Sequence, residues 1–125
     1  MVLAACLSAG LASIITLVIR FFYYRPRPFV LENITALFSH SASSSFPSLH
    51  AAFFFALSTA LLFYHKKTAG LFLAASFLIV FSRVIAGLHW FVDIIAGLGL
   101  GIVCALLVRK ILSFPTLRFR GHKSD

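Results

Sequence analysis

Val2-Leu3-Ala4-Ala5-Cys6-Leu7-Ser8-Ala9-Gly10-Leu11-Ala12-Ser13-Ile14-Ile15-Thr16-Leu17-Val18-Ile19 is a run of 18 residues without a charge. As an α-helix it extends about 27 Å, close to the thickness of a bilayer's hydrocarbon core. Its first charge, Arg20, comes at the far end. No positive charge precedes the run, so it lacks the basic leader of a secretory signal peptide and reads as a membrane-spanning helix.

The rest of the chain repeats the pattern. Phe46 to Tyr64 is a second apolar run, with Pro47 placed for a first helical turn and Ser45 as its expected N-cap; His65-Lys66-Lys67 stops it. Ala69 to Phe81 begins a third, predicted to stay helical to about Ala86, where Gly87 loosens it. Trp90 to Val108 is the fourth, broken only by Asp93 and closed by Arg109-Lys110. Within it, Gly97-Leu98-Gly99-Leu100-Gly101 contains a G-x-x-x-G spacing that lets a neighbouring helix approach closely. The expectation is an all-α, polytopic membrane bundle of about four transmembrane helices. It forms one domain over residues 1–125, with an outer-face loop at 20–45 and a basic cytoplasmic tail at 112–125.

Composition agrees. The chain is 61% hydrophobic and 11% charged, whereas a soluble domain carries about 25% charged residues. The net charge of +8 does not mark a nucleic-acid binder, because the basic residues stand between or after apolar runs and not on one polar face. The partners expected are membrane lipids and a lipid substrate, and a homo-oligomer is left open. The tail, with Phe114 and Phe119, is expected to lie on an anionic leaflet or to be partly disordered. Acidic residues number three, Glu32, Asp93 and Asp125. A two-metal hydrolase needs a cluster of carboxylates that this chain cannot easily build, so no metal and no cofactor are expected. Cys6 and Cys104 lack a C-x-x-C spacing and read as buried small hydrophobes.

Counting sides sorts the charges. Four spans place Lys66, Lys67, Arg109, Lys110, Arg118, Arg120 and Lys123 on one face of the membrane. Arg20, Arg25, Arg27 and Arg83 fall on the other. By the positive-inside rule the first face is cytoplasmic, so Arg27, His50, Arg83 and His89 share the outer level.

Residues of that level suit phosphate chemistry. His89 and Asp93 are four apart and on a helix would share a face. The carboxylate would hold one ring nitrogen and leave the other free to attack an electrophile. A simpler role for Asp93 is a salt bridge to Arg83. Arg20, Arg27 and Arg83 can bind phosphate oxygens through planar forks, joined by Ser48 and by backbone N–H groups at the start of the second span. His50 has no carboxylate partner in local sequence and is the better proton donor. Arg25 either contacts a second phosphate or belongs to the opposite face. His40, His65 and His122 read as structural, and the sequon Asn33-Ile34-Thr35 carries little weight.

Taken together, Arg20-x6-Arg27-Pro28, Pro47-Ser48-Leu49-His50 and Ser82-Arg83-x5-His89-x3-Asp93 resemble the three signature motifs of the type 2 phosphatidic acid phosphatase superfamily, which includes the vanadium haloperoxidases. The wording Arg25-Pro26-Arg27-Pro28-Phe29 and Ser44-Ser45-Phe46-Pro47-Ser48 is most similar to bacterial undecaprenyl-diphosphate phosphatases. The resemblance implies a metal-independent lipid phosphatase with His89 as nucleophile, Asp93 as its orienting group and His50 as acid. Arg20, Arg27, Ser48, Leu49 and Arg83 would bind phosphate, with Leu49 acting through its backbone N–H. It also implies a multi-pass protein of a bacterial inner membrane with its site on the periplasmic or extracellular side. A phosphatase for phosphatidic acid or phosphatidylglycerophosphate is the alternative, and an inactive fragment or non-catalytic membrane protein the alternative of another class. The sequence departs from the family at Arg20, where lysine is usual, and at Leu49, where glycine is commonest. The family core usually has six spans, so either this chain is an N-terminally shortened product, or the first two helices are dispensable or supplied by a partner.

Overall fold

The computed structural model describes residues 1–31 and 43–114, the side chain of Leu31 excepted. Glu32, the sequon at Asn33, His40 and the tail residues Arg118, Phe119, Arg120, His122 and Lys123 lie outside the described residues. Among the described residues the regular elements are all helices: α1 (Val2–Phe22), α2 (Pro28–Leu31), α3 (Leu49–Leu62), α4 (Lys66–Ile85) and α5 (Phe91–Ser113). Three of these, α1, α4 and α5, are long and apolar enough to cross a membrane. The fourth expected span, α3, is apolar but has only 14 residues, about 21 Å as a helix.

Burial runs opposite to that of a soluble bundle. The inward stripe of α1 is small: Ala4, Ala5, Ser8, Ala9, Ala12 and Thr16. Leu3, Leu7, Ile14, Leu17 and Val18 face outward. Hydrocarbon tails are as apolar as leucine, so helices in lipid gain by close backbone approach, which small residues permit. Hydroxyls on the stripe are satisfied within the helix: Ser8 Oγ donates to Ala4 O at 2.7 Å and Thr16 Oγ1 to Ala12 O at 2.8 Å. Cys6 falls off that stripe and is exposed, which corrects the expectation of burial; Cys104 is buried as expected.

α3 is the central element, packed against α5, α1 and α4. Its closest approach is to the G-x-x-x-G of α5. A Cβ on Gly97 would lie 2.6 Å from Ser48 O and 2.8 Å from Ala51 Cβ, and one on Gly101 would lie 2.6 Å from Ala52 O. Ser58 and Ser76 join α3 to α4 through a 3.1 Å hydroxyl contact.

Several helix limits differ from the sequence reading. α1 continues past Arg20 to Phe22, α4 takes Lys66 and Lys67 into its first turn, and α5 runs through Arg109 and Lys110 to Ser113. Near the cytoplasmic end as read from sequence, Arg109 lies 4.1 Å over the Phe63 ring, a contact that lets a cation close a helix without leaving it. The N-cap of α3 is Ser48 and not Ser45: Ser48 Oγ accepts from Ala51 N at 3.3 Å. Pro47 stands before the helix because its carbonyl is held by Arg20 instead of starting the helical ladder. α4 ends at Ile85, and Gly87 adopts φ +75°, a turn conformation that costs glycine little.

Candidate active site

Three non-helical segments close over one end of the bundle: Tyr23–Arg27 after α1, Ser43–Ser48 before α3, and Gly87–Trp90 between α4 and α5. Backbone groups lace them together. Ser45 N donates to Arg25 O at 2.9 Å, Phe29 N to Gly87 O at 3.1 Å and Ser48 N to Asp93 O at 3.0 Å. Trp90 Nε1 donates to Pro26 O at 2.9 Å, tying the α5 cap to the proline-rich segment.

Arg20, on the last turn of α1, donates from Nε and Nη2 to Pro47 O at 3.0 and 2.8 Å. Its fork therefore holds the segment that leads into α3. Arg27 is almost fully buried, at 2% exposure. It donates from Nε to Ser43 O (3.0 Å), from Nη1 to Leu88 O (2.9 Å) and from Nη2 to Ser43 Oγ (3.1 Å) and Ser44 O (3.4 Å). Burial, then the nearby charges of Arg20 and Arg83, push its pKa down to about 10, so it stays a cation at neutral pH. Arg83 is half-buried near the end of α4, and its Nε is buried without a hydrogen-bond partner among the described residues. A desolvated donor of that kind is unfavourable unless an acceptor arrives.

His89 and Asp93 do not share a helical face as expected, because α5 begins at Phe91 and His89 precedes its cap, Trp90. His89 Nδ1 lies 3.0 Å from Ser45 O and 3.6 Å from Asp93 Oδ2. The closer partner of Nδ1 is thus a carbonyl, which can only accept, and this assigns the proton to Nδ1. Nε2 is left with its lone pair 3.5 Å from Arg27 Nη1. Burial lowers the His89 pKa against the raising effect of Asp93, with Arg27 and Arg83 lowering it further. A neutral ring results.

Asp93 is fully buried and serves several groups at once. Its Oδ2 accepts from Trp90 N at 2.8 Å, capping α5, and its carboxylate stands 3.7 Å from Arg25 Nε. The arginine partner of Asp93 is therefore Arg25 and not Arg83. Arg25 also lies 5.9 Å over the Trp90 ring, which puts it with the site and not on the opposite face. Ser48 caps α3, and its N–H is taken by Asp93 O. Leu49 is the first residue of α3, where a backbone N–H has no intrahelical acceptor. His50 follows, its ring tilted against Phe54 at 6.3 Å between centroids, and it lines a groove with Ser13, Leu49, Phe53 and Phe54.

Most of the residues expected from sequence thus meet at one end of the bundle. Arg25 pairs with Asp93, the one acidic side chain among the described residues, while Arg20, Arg27 and Arg83 lie close enough for their charges to act on one another or on His89. Such a surplus of fixed positive charge suits an anion. The sequence reading missed Ser43, Ser44 and Ser45, whose carbonyls and hydroxyls hold Arg27 and His89, and Trp90, which fastens the loops. The serine run was visible; its use was not, since most of these contacts are made by backbone carbonyls.

A family model described as the PAP2 superfamily matches residues 1–116. The chain is 36% identical over 105 residues to "Undecaprenyl-diphosphatase BcrC" of Bacillus subtilis (strain 168), covering 81% of this chain and 54% of that protein. It is 34% identical over 109 residues to "Bacitracin transport permease protein BcrC" of Bacillus licheniformis, covering 86% and 54%. The chain spans about half the length of these curated relatives. Among solved structures, LpxE of Aquifex aeolicus superposes with a TM-score of 0.75 at 28% identity, over 86% of this chain and 66% of that one.

Proposed function

This chain belongs to the PAP2 superfamily, and on that premise we propose that it is a membrane lipid phosphatase. Its substrate in this reading is a prenyl diphosphate, undecaprenyl diphosphate first, cleaved to the monophosphate and inorganic phosphate. The observation that carries the reading is the setting of His89: Nδ1 against the Ser45 carbonyl at 3.0 Å and Nε2 beside Arg27. A nucleophilic imidazole needs an unprotonated nitrogen aimed at the phosphorus and a cation beside it for the phosphoryl oxygens.

In the proposed first step His89 Nε2 attacks the terminal phosphorus, the P–N bond forms and the bond to the bridging oxygen breaks. His50, protonated, gives its proton to that leaving oxygen, and the lipid monophosphate departs. In the second step His50 takes a proton from water, the water oxygen bonds to phosphorus and the P–N bond breaks. Inorganic phosphate and the original His89 result. Arg83, with its unpartnered Nε, Arg27 and the Leu49 N–H stabilise the equatorial oxygens. Arg20 and Ser48 position the α3 end, and Arg25, paired with Asp93, is this reading's candidate for contact with a second phosphate. Asp93 supports the imidazolium-like character of His89 in the transition state. The metal-free form of this reading rests on the scarcity of carboxylates in the sequence. In this reading the site end faces outward, which the balance of lysine and arginine supports, and the bacterial inner membrane is taken from the likeness to BcrC.

The choice of a prenyl diphosphate leans on the likeness to BcrC, since the site residues read phosphate oxygens and not a tail. Purified protein assayed for phosphate release on undecaprenyl diphosphate, phosphatidic acid and phosphatidylglycerophosphate tests it. Preference for the prenyl diphosphate is expected. Preference for a glycerolipid would replace the substrate, and no release from any of them would overturn the phosphatase reading.

A further inference from the structure

Among the described residues, two apolar grooves open at the site end of the bundle, and the proposed chemistry distinguishes them. One, of about 250 Å³, lies between α1 and α3 and is lined by Ser13, Leu49, His50, Phe53 and Phe54. The other, of about 230 Å³, lies between α4 and α5, with Phe77, Phe81, Ile94 and Leu98 among its walls. We propose that the α1–α3 groove holds the first isoprene units of the lipid tail, with His50 at its mouth. This rests on the phosphatase reading and adds to it a place for the tail.

In phosphoryl transfer the attacking and leaving groups stand roughly in line on opposite sides of phosphorus. The leaving oxygen here belongs to the lipid, so the tail extends from the side of the acid, His50, and away from the nucleophile, His89. His50 lines the α1–α3 groove. The α4–α5 groove is instead walled by Phe91 and Ile94, on the segment that follows His89.

The walls continue that direction. Ser13 and Arg20 are seven apart on α1, two turns along one face. His50, Phe53 and Phe54 stand at i, i+3 and i+4 on α3. The groove therefore leads from the Arg20 end down both helices into the depth of the bilayer. Ser13 Oγ donates to Ala9 O at 2.8 Å, so its hydroxyl hydrogen is already used within α1 and the wall suits hydrocarbon. A cationic mouth over an apolar body matches an anionic amphiphile. The volume is below the about 300–1,000 Å³ that encloses a drug-sized ligand. The groove therefore takes only the head-proximal units, and the rest of the tail lies among lipids.

A prenyl diphosphate with a diazirine on its first isoprene unit, illuminated with the full chain in lipid nanodiscs, tests the placement. Crosslinks at Ser13 or within Leu49–Phe54 are expected. Crosslinks confined to Phe77–Leu98, or to neither groove, overturn the proposal. A second measurement fills each groove in turn. Ser13→Phe is expected to raise KM for the prenyl diphosphate by at least about tenfold with little change in the rate at saturation, the mark of lost uniform binding. Ile95→Trp, in the other groove, should leave KM as it is. An unchanged KM in Ser13→Phe, or a raised KM only in Ile95→Trp, sinks the idea. Failure of the phosphatase reading shows separately, as no phosphate release by the unaltered chain, because photolabelling reads binding alone.

Discussion

His89 Nδ1 and the carbonyl oxygen of Ser45 meet at 3.0 Å, although 44 positions separate them in the chain. That contact sets the ring's tautomer, a task the sequence spacing would have assigned to Asp93. The carboxylate instead stands 3.6 Å from the same nitrogen and caps α5. Asp93 thereby ties the start of α5 to the His89 ring without fixing its tautomer.

Replacing His89 with alanine is expected to lower phosphate release by about 10⁴-fold or more, as removal of a covalent nucleophile does. Circular dichroism and size-exclusion behaviour should stay those of the parent. Retained turnover in a folded His89→Ala chain would end the phosphohistidine mechanism.

Acid sensitivity follows from the lowered pKa of His89. Burial disfavours the imidazolium, so the neutral ring persists as pH falls below the ordinary value of 6.5. The acidic limb of kcat/KM should therefore have its midpoint below 6.5. Asp93 raises this pKa, so Asp93→Asn should move the limb to still lower pH while reducing the rate. For stability the sign is the same: the His89 contribution is complete above 6.5 and is lost as pH falls toward its folded value. A limb above 6.5, or an upward move in Asp93→Asn, contradicts the assignment.

Glycines of α5 divide by what a Cβ would meet. Gly97→Ala and Gly101→Ala place a methyl 2.6 Å from backbone oxygens of α3 and should destabilise by about 1–3 kcal/mol. Gly97→Ala should also reduce activity, because the atom it meets is Ser48 O. Gly99 has nothing within 4 Å, and Gly99→Ala should gain up to about 1 kcal/mol from helix propensity. Thermal unfolding in one detergent ranks the three.

Arg20 grips Pro47 O through two nitrogens. Lysine keeps the charge but offers a single point contact, so Arg20→Lys should retain part of the activity. Arg20→Ala should lose both charge and fork, with a larger fall, about 10–100-fold on the scale of one positioning contact. Full activity in Arg20→Ala would show that the α3 end is held without it.

Phosphate release should persist in a chelator and be inhibited by vanadate, which takes the trigonal bipyramidal shape of the transferring group. Loss of activity on chelation, restored by a divalent cation, would overturn the metal-free proposal.

Much of the fold was legible because hydrophobic length and charge are local. The uncharged run at Val2–Ile19, the stop at Gly87 and the G-x-x-x-G of α5 each announced what the structure bears out. The site was legible in part. Arginine, histidine and aspartate at one level follow from counting spans, and they do converge, with Arg25 among them. Less visible were the start of α3 at Leu49 and the exposure of Cys6. Both depend on what lies opposite in space: the hold of Arg20 on Pro47 O, and the stripe of α1 that turns inward.

By itself the sequence determined a helical membrane chain and the residue types at its polar end, because apolar length and the cost of unpaired charge are properties of segments. Only the tertiary structure decided which atom serves which. Arg27 and His89 are held by the carbonyls of Ser43, Ser44, Ser45 and Leu88. Every residue carries such a carbonyl, so no side-chain pattern can single out the few that fold into reach.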